Sequence, residues 1–248
     1  SRLLKLSLVL GVLLAMAGFA HAQSMGLPKL EVGLGKANKP EEVSTSLQIL
    51  LMLTVLSVAP AIMMLTTAFT RIVIILGLLR TAMGTQTIPP NQVVVGLSLF
   101  LTFYVMGPTY QQVYDTAYVP YAVEKKIGFD EAAKRAQKPI RAFMLRNTYQ
   151  KDLKLFLEMR GEQATSEDVS MMALIPAFII SELKTAFVVG FYLFVPFVII
   201  DLIVASVLMS LGMMMMPPVV VSLPAKILVF VLADGWTILV QAIVSGYA

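Results

Sequence analysis

The sequence contains no cysteine and only one histidine, His21. Without cysteine there are no disulfides, thiolate nucleophiles or cysteine-ligated metals. His21 lies in a segment that we expect to be removed, which leaves no histidine for a Ser-His triad, a general base or a zinc site. Carboxylate or lysine chemistry remains possible, but an enzyme is the weaker expectation, and we assign no catalytic residue, metal or cofactor.

Charge is scarce as well. Charged residues make up 14% of the 248 residues, whereas 58% are apolar, and the mean hydropathy is +0.81. This composition is typical of a membrane protein and argues against a disordered chain or an ordinary cytosolic enzyme. The net charge of +4 is a weak excess, and we expect no nucleic-acid partner.

Residues 1–22 have the pattern of a bacterial secretory signal peptide. Two basic residues precede an apolar run from Leu6 to Phe19, and Ala20-His21-Ala22 has the form of a cleavage site. The alternative is an uncleaved first membrane helix, but the run is shorter than the roughly 20 residues that a span needs. Residues 23–45 are polar and contain two prolines, and we expect them to form a flexible exported arm.

Apolar segments on both sides of a charged region predict membrane-type helices. The first region, residues 46–109, contains apolar stretches at 47–67, 72–79 and 92–106, and Gly107-Pro108 ends the last of them. The second region, residues 169–248, contains a short stretch at 171–180 and a helical hairpin with arms at 185–211 and 219–244. The stretch at 171–180 is too short to span a membrane. We therefore expect a helix boundary between it and the hairpin.

Residues 110–168 form a charged insert between these two groups. From Asp115 to Asp168 the chain carries 10 Lys or Arg and 9 Asp or Glu. We expect amphipathic helices here, with Asp130 capping one helix and Pro139 beginning the next. If the arm is exported, the first span places Arg71 and Arg80 on the cytoplasmic side, the insert is extracytoplasmic, and the hairpin tip points back to the cytoplasm.

Ionisable groups within apolar segments are candidate functional residues, because they are costly in a bilayer and normally face a partner or a wet cavity. They are Glu182, Lys184, Asp201, Lys226 and Asp234. Asp201 and Lys226 lie 14 and 11 residues from Met215, so folding the hairpin brings them to comparable depth. An ion pair, two separate assembly contacts and a proton relay remain alternatives.

Two apolar features are further candidates. The hairpin tip carries four consecutive methionines, Met213, Met214, Met215 and Met216, followed by two prolines. These flexible side chains are either filler in a loop or a ring that closes a pore when several copies assemble. Phe143 and Phe156 lie on apolar stripes of the insert, which predicts either a private core or contact with neighbouring subunits.

Four segments resemble one known family. They are LLRTAMGTQTIPPNQVVVGLSLFLTF at 78–103, SELKTAF at 181–187, DLIVASVLMSLGMMMMPP at 201–218 and LADGW at 232–236. These stretches look like the FliP family of flagellar type III export gate proteins, and the resemblance runs from about residue 46 to the end. The cleavable signal and polar arm favour the flagellar branch over the equivalent subunits of virulence injectisomes.

The resemblance implies an all-α membrane-associated protein in a pore-forming hetero-oligomer. Its partners would be FliQ-like and FliR-like subunits, further copies of itself and the unfolded flagellar proteins that it exports, at the flagellar basal body in the bacterial inner membrane. Met213 to Met216 would form the pore gasket, and Asp201 and Lys226 the hairpin ion pair. Phe143, Phe156 and Glu182 would be assembly contacts.

A small-solute transporter that works alone is the competing hypothesis. It predicts ligand binding between Glu182 and Asp201 and function without partners. Against it, the sequence shows no inverted repeat, and the methionine tip is too apolar to select a hydrophilic solute. An intramembrane enzyme ranks third, because no acid–base pair at a workable spacing stands out.

Overall fold

The computed structural model describes residues 40–85, 87–162, 169–213 and 215–247. Within these ranges every regular element is helical. The helices are α1 (Pro40–Thr66), α2 (Phe69–Ala82), α3 (Asn91–Val113), α4 (Phe129–Arg146), α5 (Gln150–Arg160), α6 (Met171–Ser210), α7 (Pro218–Leu232) and α8 (Gly235–Ser245), and a π-helical segment, Tyr114–Val123, continues α3. The predicted all-α class is confirmed at this level.

The segments predicted to be a signal peptide (1–22) and an exported arm lie outside the described residues, except for the last residues of the arm. Helix α1 already begins at Pro40, before the expected end of that arm at residue 45. A compact unit begins at Thr54 and contains the described residues that follow it.

Helix α6 is one helix of 40 residues, about 60 Å long at the usual rise. The expected boundary between 171–180 and 185–211 was wrong. The polar residues between the two stretches, Ser181, Glu182 and Lys184, lie within the helix and contact neighbouring elements. Their polarity reflects tertiary contacts, which override the local pattern.

The expected single arm at 219–244 was also wrong, because it breaks at Asp234. Helices α7 and α8 meet there at a bend of 65°. Asp234 has a left-handed backbone conformation, with φ of 50°. Gly235 is required next to it, since a Cβ atom at that position would lie 2.3 Å from the ring of Phe230.

Two further boundaries differ from expectation. Helix α3 runs through Gly107-Pro108 and passes directly into the π-helical segment. Helix α4 contains Pro139 in its interior, and its N-cap is Gly128, so Asp130 does not cap it. The apolar face of α4 packs on the core through Phe143 and Met144, and this packing outweighs the hydrogen bond that proline removes.

The core lies between α2 and the first half of α6. Its largest fully buried side chains include Ile72, Ile75 and Leu79 of α2 and Leu174 and Phe178 of α6. Burial of each such side chain stabilises the fold by about 1.5–3 kcal/mol. The second half of α6 is different, because most of its large apolar side chains are exposed.

Within the described ranges, two helical stretches are long and apolar enough to cross a membrane. They are Asn91–Val123, of 33 residues, and Met171–Ser210, of 40 residues. Two bent pairs of helices pass the same test if each pair is counted as one span: Met52–Thr66 with Phe69–Ala82, and Pro218–Leu232 with Gly235–Ser245. The prediction of apolar helices that could span a membrane is thus confirmed.

Candidate functional site

Glu182 lies in a buried ion pair with Arg71 of α2. The Nε atom of Arg71 donates to Glu182 Oε2 at 3.1 Å, and Nη2 donates to Oε1. This two-pronged geometry matches the planar guanidinium to the carboxylate. Both side chains are almost fully buried, so the pair joins α2 and α6 inside the core.

Tyr247, which follows α8, completes this network. Its hydroxyl donates to Glu182 Oε2 at 2.6 Å, and the Arg71 guanidinium carbon lies 3.9 Å from the centre of its ring. Arg71 Nη1 also donates to the carbonyl oxygen of Gly246 at 3.0 Å. We call Arg71, Glu182, Gly246 and Tyr247 the inner network; it ties α2, α6 and the residues after α8 together.

Asp201 and Lys226 face each other across the α6–α7 hairpin. Lys226 Nζ lies 2.7 Å from Asp201 Oδ2, and the Ser222 hydroxyl donates to Asp201 Oδ1. Lys226 Nζ also lies 3.3 Å from the carbonyl oxygen of Ala82, where α2 ends. The structure therefore brings the two predicted partners together, and it adds Ser222 and the end of α2, which no sequence pattern indicated.

A third charge network, in which Asp152 is buried and the Lys184 side chain is 53% exposed, was not predicted. Asp152 of α5 accepts hydrogen bonds from Lys184 Nζ and, at 2.9 Å, from the Ser181 hydroxyl. The backbone N–H of Tyr149 in turn donates to the Ser181 hydroxyl at 3.0 Å. Burial by itself raises the pKa of Asp152, but the hydrogen bonds and charge of Lys184 and the hydrogen bond of Ser181 outweigh it and hold this pKa below its usual value.

Methionines occupy the turn between α6 and α7, which is fixed at both ends. Gly212 has φ of 74°, and the N–H of Met213 bonds to the carbonyl of Leu208 at 2.9 Å, the pattern that closes a helix with a glycine. Pro218 begins α7 at the first helical position. Met213, Met215 and Met216 are exposed, Met215 completely, and Met214 lies outside the described residues.

The remaining candidates lie apart from the tip. The Phe143 ring is buried and stacks on Tyr247 with centroids 5.9 Å apart, while Phe156 is partly buried against the same core. Both phenylalanines thus have packing roles within the protomer, and their contact with other subunits stays a prediction. Asp234 is exposed at the α7–α8 bend.

The described part of the chain holds no group of three or more His, Asp or Glu residues placed to bind a metal. Its buried or partly buried acids Glu182, Asp152 and Asp201 instead pair with cations on other helices, and many of its large apolar side chains are exposed. These features define the class: a membrane-type helical protein whose buried charges join helices.

Comparison with known proteins identifies the family. The FliP family model matches residues 52–243. The flagellar biosynthetic protein FliP of Bacillus subtilis (strain 168) is 50% identical over 218 residues, which cover 87% of this chain and 98% of that protein. The protein of the same name from Pectobacterium carotovorum subsp. carotovorum is 48% identical over 237 residues, covering 95% and 90%.

A more distant relative, the flagellar biosynthetic protein FliP of Aquifex aeolicus (strain VF5), is 41% identical over 242 residues, covering 96% of this chain and 98% of that protein. The chain belongs to the FliP family. It is therefore a flagellar biosynthetic protein of the type III export apparatus, as the sequence resemblance implied.

Proposed function

We propose that this chain is a structural and gating subunit of the flagellar type III export channel, which passes unfolded flagellar proteins across the bacterial inner membrane. The observation that carries the proposal is the exposed methionine tip. A braced hairpin presents at least three flexible apolar side chains at one point, with nothing in the described protomer covering Met215.

The proposed gate works by packing rather than by chemistry. Methionine side chains are unbranched and polarizable, so tips from several copies can fill an irregular opening and repack around a passing chain. A hydrophobic constriction of this kind blocks ions and water until it is widened. The Asp201–Lys226 pair holds the two arms together, which fixes the height of the tip.

The proposed assembly is a hetero-oligomer at the flagellar basal body, with FliQ-like and FliR-like subunits and further copies of this chain around one channel. The exposed apolar side chains of α7 and the second half of α6 support it, because partner helices or lipid must cover them. The proposed organisation keeps the signal peptide at 1–22, the arm at 23–45 and an extracytoplasmic insert at 110–168.

The geometry supports a solute transporter less well. That hypothesis needs a free polar group between Glu182 and Asp201. Glu182 already accepts hydrogen bonds from Arg71 and Tyr247, and Asp201 accepts them from Ser222 and Lys226. Neither carboxylate is available to a solute without breaking a buried contact.

The test replaces Met213 to Met216 with alanine in cells that also express the partner subunits. We expect an assembled complex of unchanged mass that leaks small ions, measured as conductance in reconstituted bilayers. Met172→Ala is the matched control, because this exposed methionine lies at the other end of α6. An assembled variant with the conductance of the unmodified complex would contradict the gating role.

Native mass spectrometry of the detergent-extracted chain tests the assembly separately. We expect a large complex when FliQ-like and FliR-like subunits are co-expressed. A monomer or dimer that these partners leave unchanged would overturn the structural role.

A further inference from the structure

The end of helix α2 contacts the α6–α7 hairpin beside its methionine tip. We call residues 82–84, where α2 ends, the α2 turn. Lys226 Nζ lies 3.3 Å from the carbonyl oxygen of Ala82. A Cβ atom on Gly84 would lie 3.4 Å from Cγ1 of Val219 and 3.6 Å from the same Nζ atom. Because Val219 lies in the first turn of α7, the α2 turn meets the hairpin directly next to the proposed gate.

The end of a helix is a favourable place for a cation. The last carbonyl groups of a helix have no partner within it and carry the negative end of its dipole. Lys226 is buried, and its amine meets one of these carbonyl groups. Gly84 has φ of 76°, which glycine adopts without strain, and it turns the chain away immediately after that carbonyl group. The α2 turn is thus shaped to receive the Lys226 amine.

Helix α2 is the fixed side of this contact. The Arg71–Glu182 pair of the inner network fastens the start of α2 to α6. Further along, a Cβ atom on Gly190 of α6 would lie 2.2 Å from Leu78, so the second half of α2 is packed closely on the same helix. The hairpin is more open, because most of its large apolar side chains beyond Asp201 are exposed. A displacement of the tip should therefore move the hairpin away from the α2 turn and leave α2 in place.

The two arms of the hairpin are joined to each other more firmly than to the α2 turn. Lys226 Nζ lies 2.7 Å from Asp201 Oδ2, and the buried Ser222 hydroxyl donates to the other carboxylate oxygen. The bond to Ala82 is single and, at 3.3 Å, longer than the usual range of about 2.7–3.2 Å. If it parts, Lys226 keeps Asp201 as a partner, so no buried charge is left unpaired. The contact with the α2 turn is therefore the one that can open and close.

We propose that the α2 turn is a latch, which holds the hairpin in the closed position and parts from it when a chain passes the gate. This inference rests on the proposed function, in which the methionine tips close the channel and move aside during export. It gives the α2 turn and Val219 a part in gating, although neither belongs to the tip. Locking the contact should keep the gate shut, and forcing it apart should make the gate leak.

A disulfide tests whether the contact has to part. The chain contains no native cysteine, so Gly84→Cys and Val219→Cys together introduce a single pair. The Cγ1 position of Val219, where the new sulfur can lie, is 3.4 Å from the Cβ position of residue 84. This spacing suits a disulfide, in which the two Cβ atoms are about 3.5–4.5 Å apart.

Export is measured as flagellar protein released into the medium by cells that express the double variant with the partner subunits. Treatment with the oxidant diamide forms the disulfide, and a reductant then breaks it. We expect export to fall at least in proportion to the fraction of cross-linked chains and to return after reduction. The chains with Gly84→Cys alone and Val219→Cys alone are the controls, and they should export after the same treatment.

The outcomes separate the latch from the function on which it rests. A cross-linked double variant that exports as much as the single variants overturns the latch and leaves the proposed function intact. An assembled complex in which the pair does not cross-link overturns it as well, because the contact is then absent. If cells with the unmodified chain and its partner subunits export nothing, the proposed function itself is contradicted.

A wedge tests the opposite movement and needs no disulfide. Gly84→Val places a branched side chain between the α2 turn and Val219, and we expect the assembled complex to conduct more ions in reconstituted bilayers. Gly161→Val is the matched control: Gly161 has a similar φ of 66°, but no atom of the described residues lies within 4 Å of a Cβ atom built there. Equal conductance of the two variants overturns the latch. Loss of assembly in Gly84→Val alone overturns it too, because the contact would then support assembly and not gating.

Discussion

Two of the ion pairs that helix α6 carries differ in their surroundings. Glu182 and Asp201 are 19 residues apart, about 28 Å along the helix. The inner network buries both Arg71 and Glu182 almost completely, and Tyr247 braces the pair. In the hairpin pair Lys226 is equally buried, but the Asp201 side chain is 27% exposed.

The difference separates two tasks of one helix. The first half of α6 lies in the core, where the inner network fixes α2 and the residues after α8 relative to each other. The second half exposes apolar side chains that lipid or partner subunits must cover, and there the Asp201–Lys226 pair joins the two arms of the hairpin. Breaking the Arg71–Glu182 pair should therefore reduce the stability of the protomer. Breaking the Asp201–Lys226 pair should reduce assembly more than it reduces the stability of the protomer.

The largest effect is expected from Glu182→Ala. The substitution leaves the Arg71 charge buried and unpaired, which typically costs about 3–5 kcal/mol of unfolding free energy. Denaturant unfolding of the purified chain in detergent measures it. The exposed Glu158→Ala is the matched control, and the double variant Arg71→Met with Glu182→Met should recover most of the loss. A loss below about 1 kcal/mol would contradict the contrast between the two pairs.

A smaller loss of stability is expected for Asp201→Ala and Lys226→Ala. A hydrogen bond to a charged group is worth about 1.5–3 kcal/mol, and the Asp201 side chain is only partly buried within the protomer. Each variant should reduce assembly, and exchanging the two charges should partly restore it. The double-mutant cycle should show a coupling of about 1–3 kcal/mol. Additive effects on stability and assembly would refute direct pairing.

Tyr247→Phe should reduce the free energy of unfolding by less than Glu182→Ala or the substitutions at Asp201 and Lys226. It removes the hydroxyl that donates to Glu182 but keeps the ring between Arg71 and Phe143, so we expect a loss of about 1 kcal/mol. Tyr192→Phe, at an exposed position of α6, is the control. If Tyr247→Phe unfolds as readily as Glu182→Ala, the hydroxyl rather than the Arg71 charge dominates the inner network.

The hairpin pair could be predicted from the sequence, whereas the inner network could not. Asp201 and Lys226 lie at similar numbers of residues from the hairpin tip, so counting residues along the two arms places them opposite each other. Arg71 lies 111 residues from Glu182 and flanks an apolar stretch, which indicated a membrane boundary rather than the core. No local pattern shows that two such distant residues meet.

Helix boundaries show the same limit. The apolar stretches 171–180 and 185–211 form one helix, α6, and of the polar residues between them Ser181 and Glu182 are buried while Lys184 pairs with Asp152. The real break, at Asp234, depends on how the Phe230 ring packs over Gly235, which only the folded chain reveals. Asp152 was missed because an acid in the first turn of a helix is ordinarily explained by the helix dipole.

The smallest effect on stability is expected from changing Asp152, which pairs with Lys184 in the first half of α6, and this effect should depend on pH. Because the folded state lowers the pKa of Asp152, its carboxylate stabilises the fold above the unfolded pKa of about 3.9, and this contribution is lost as the pH falls through the folded pKa. The stability difference between the unmodified chain and Asp152→Asn should thus be largest near neutral pH and shrink in acid. Thermal unfolding between about pH 7 and pH 3 measures it, with the exposed Asp115→Asn as control. A difference that stays constant over this range would mean that Asp152 contributes by packing and not by its charge.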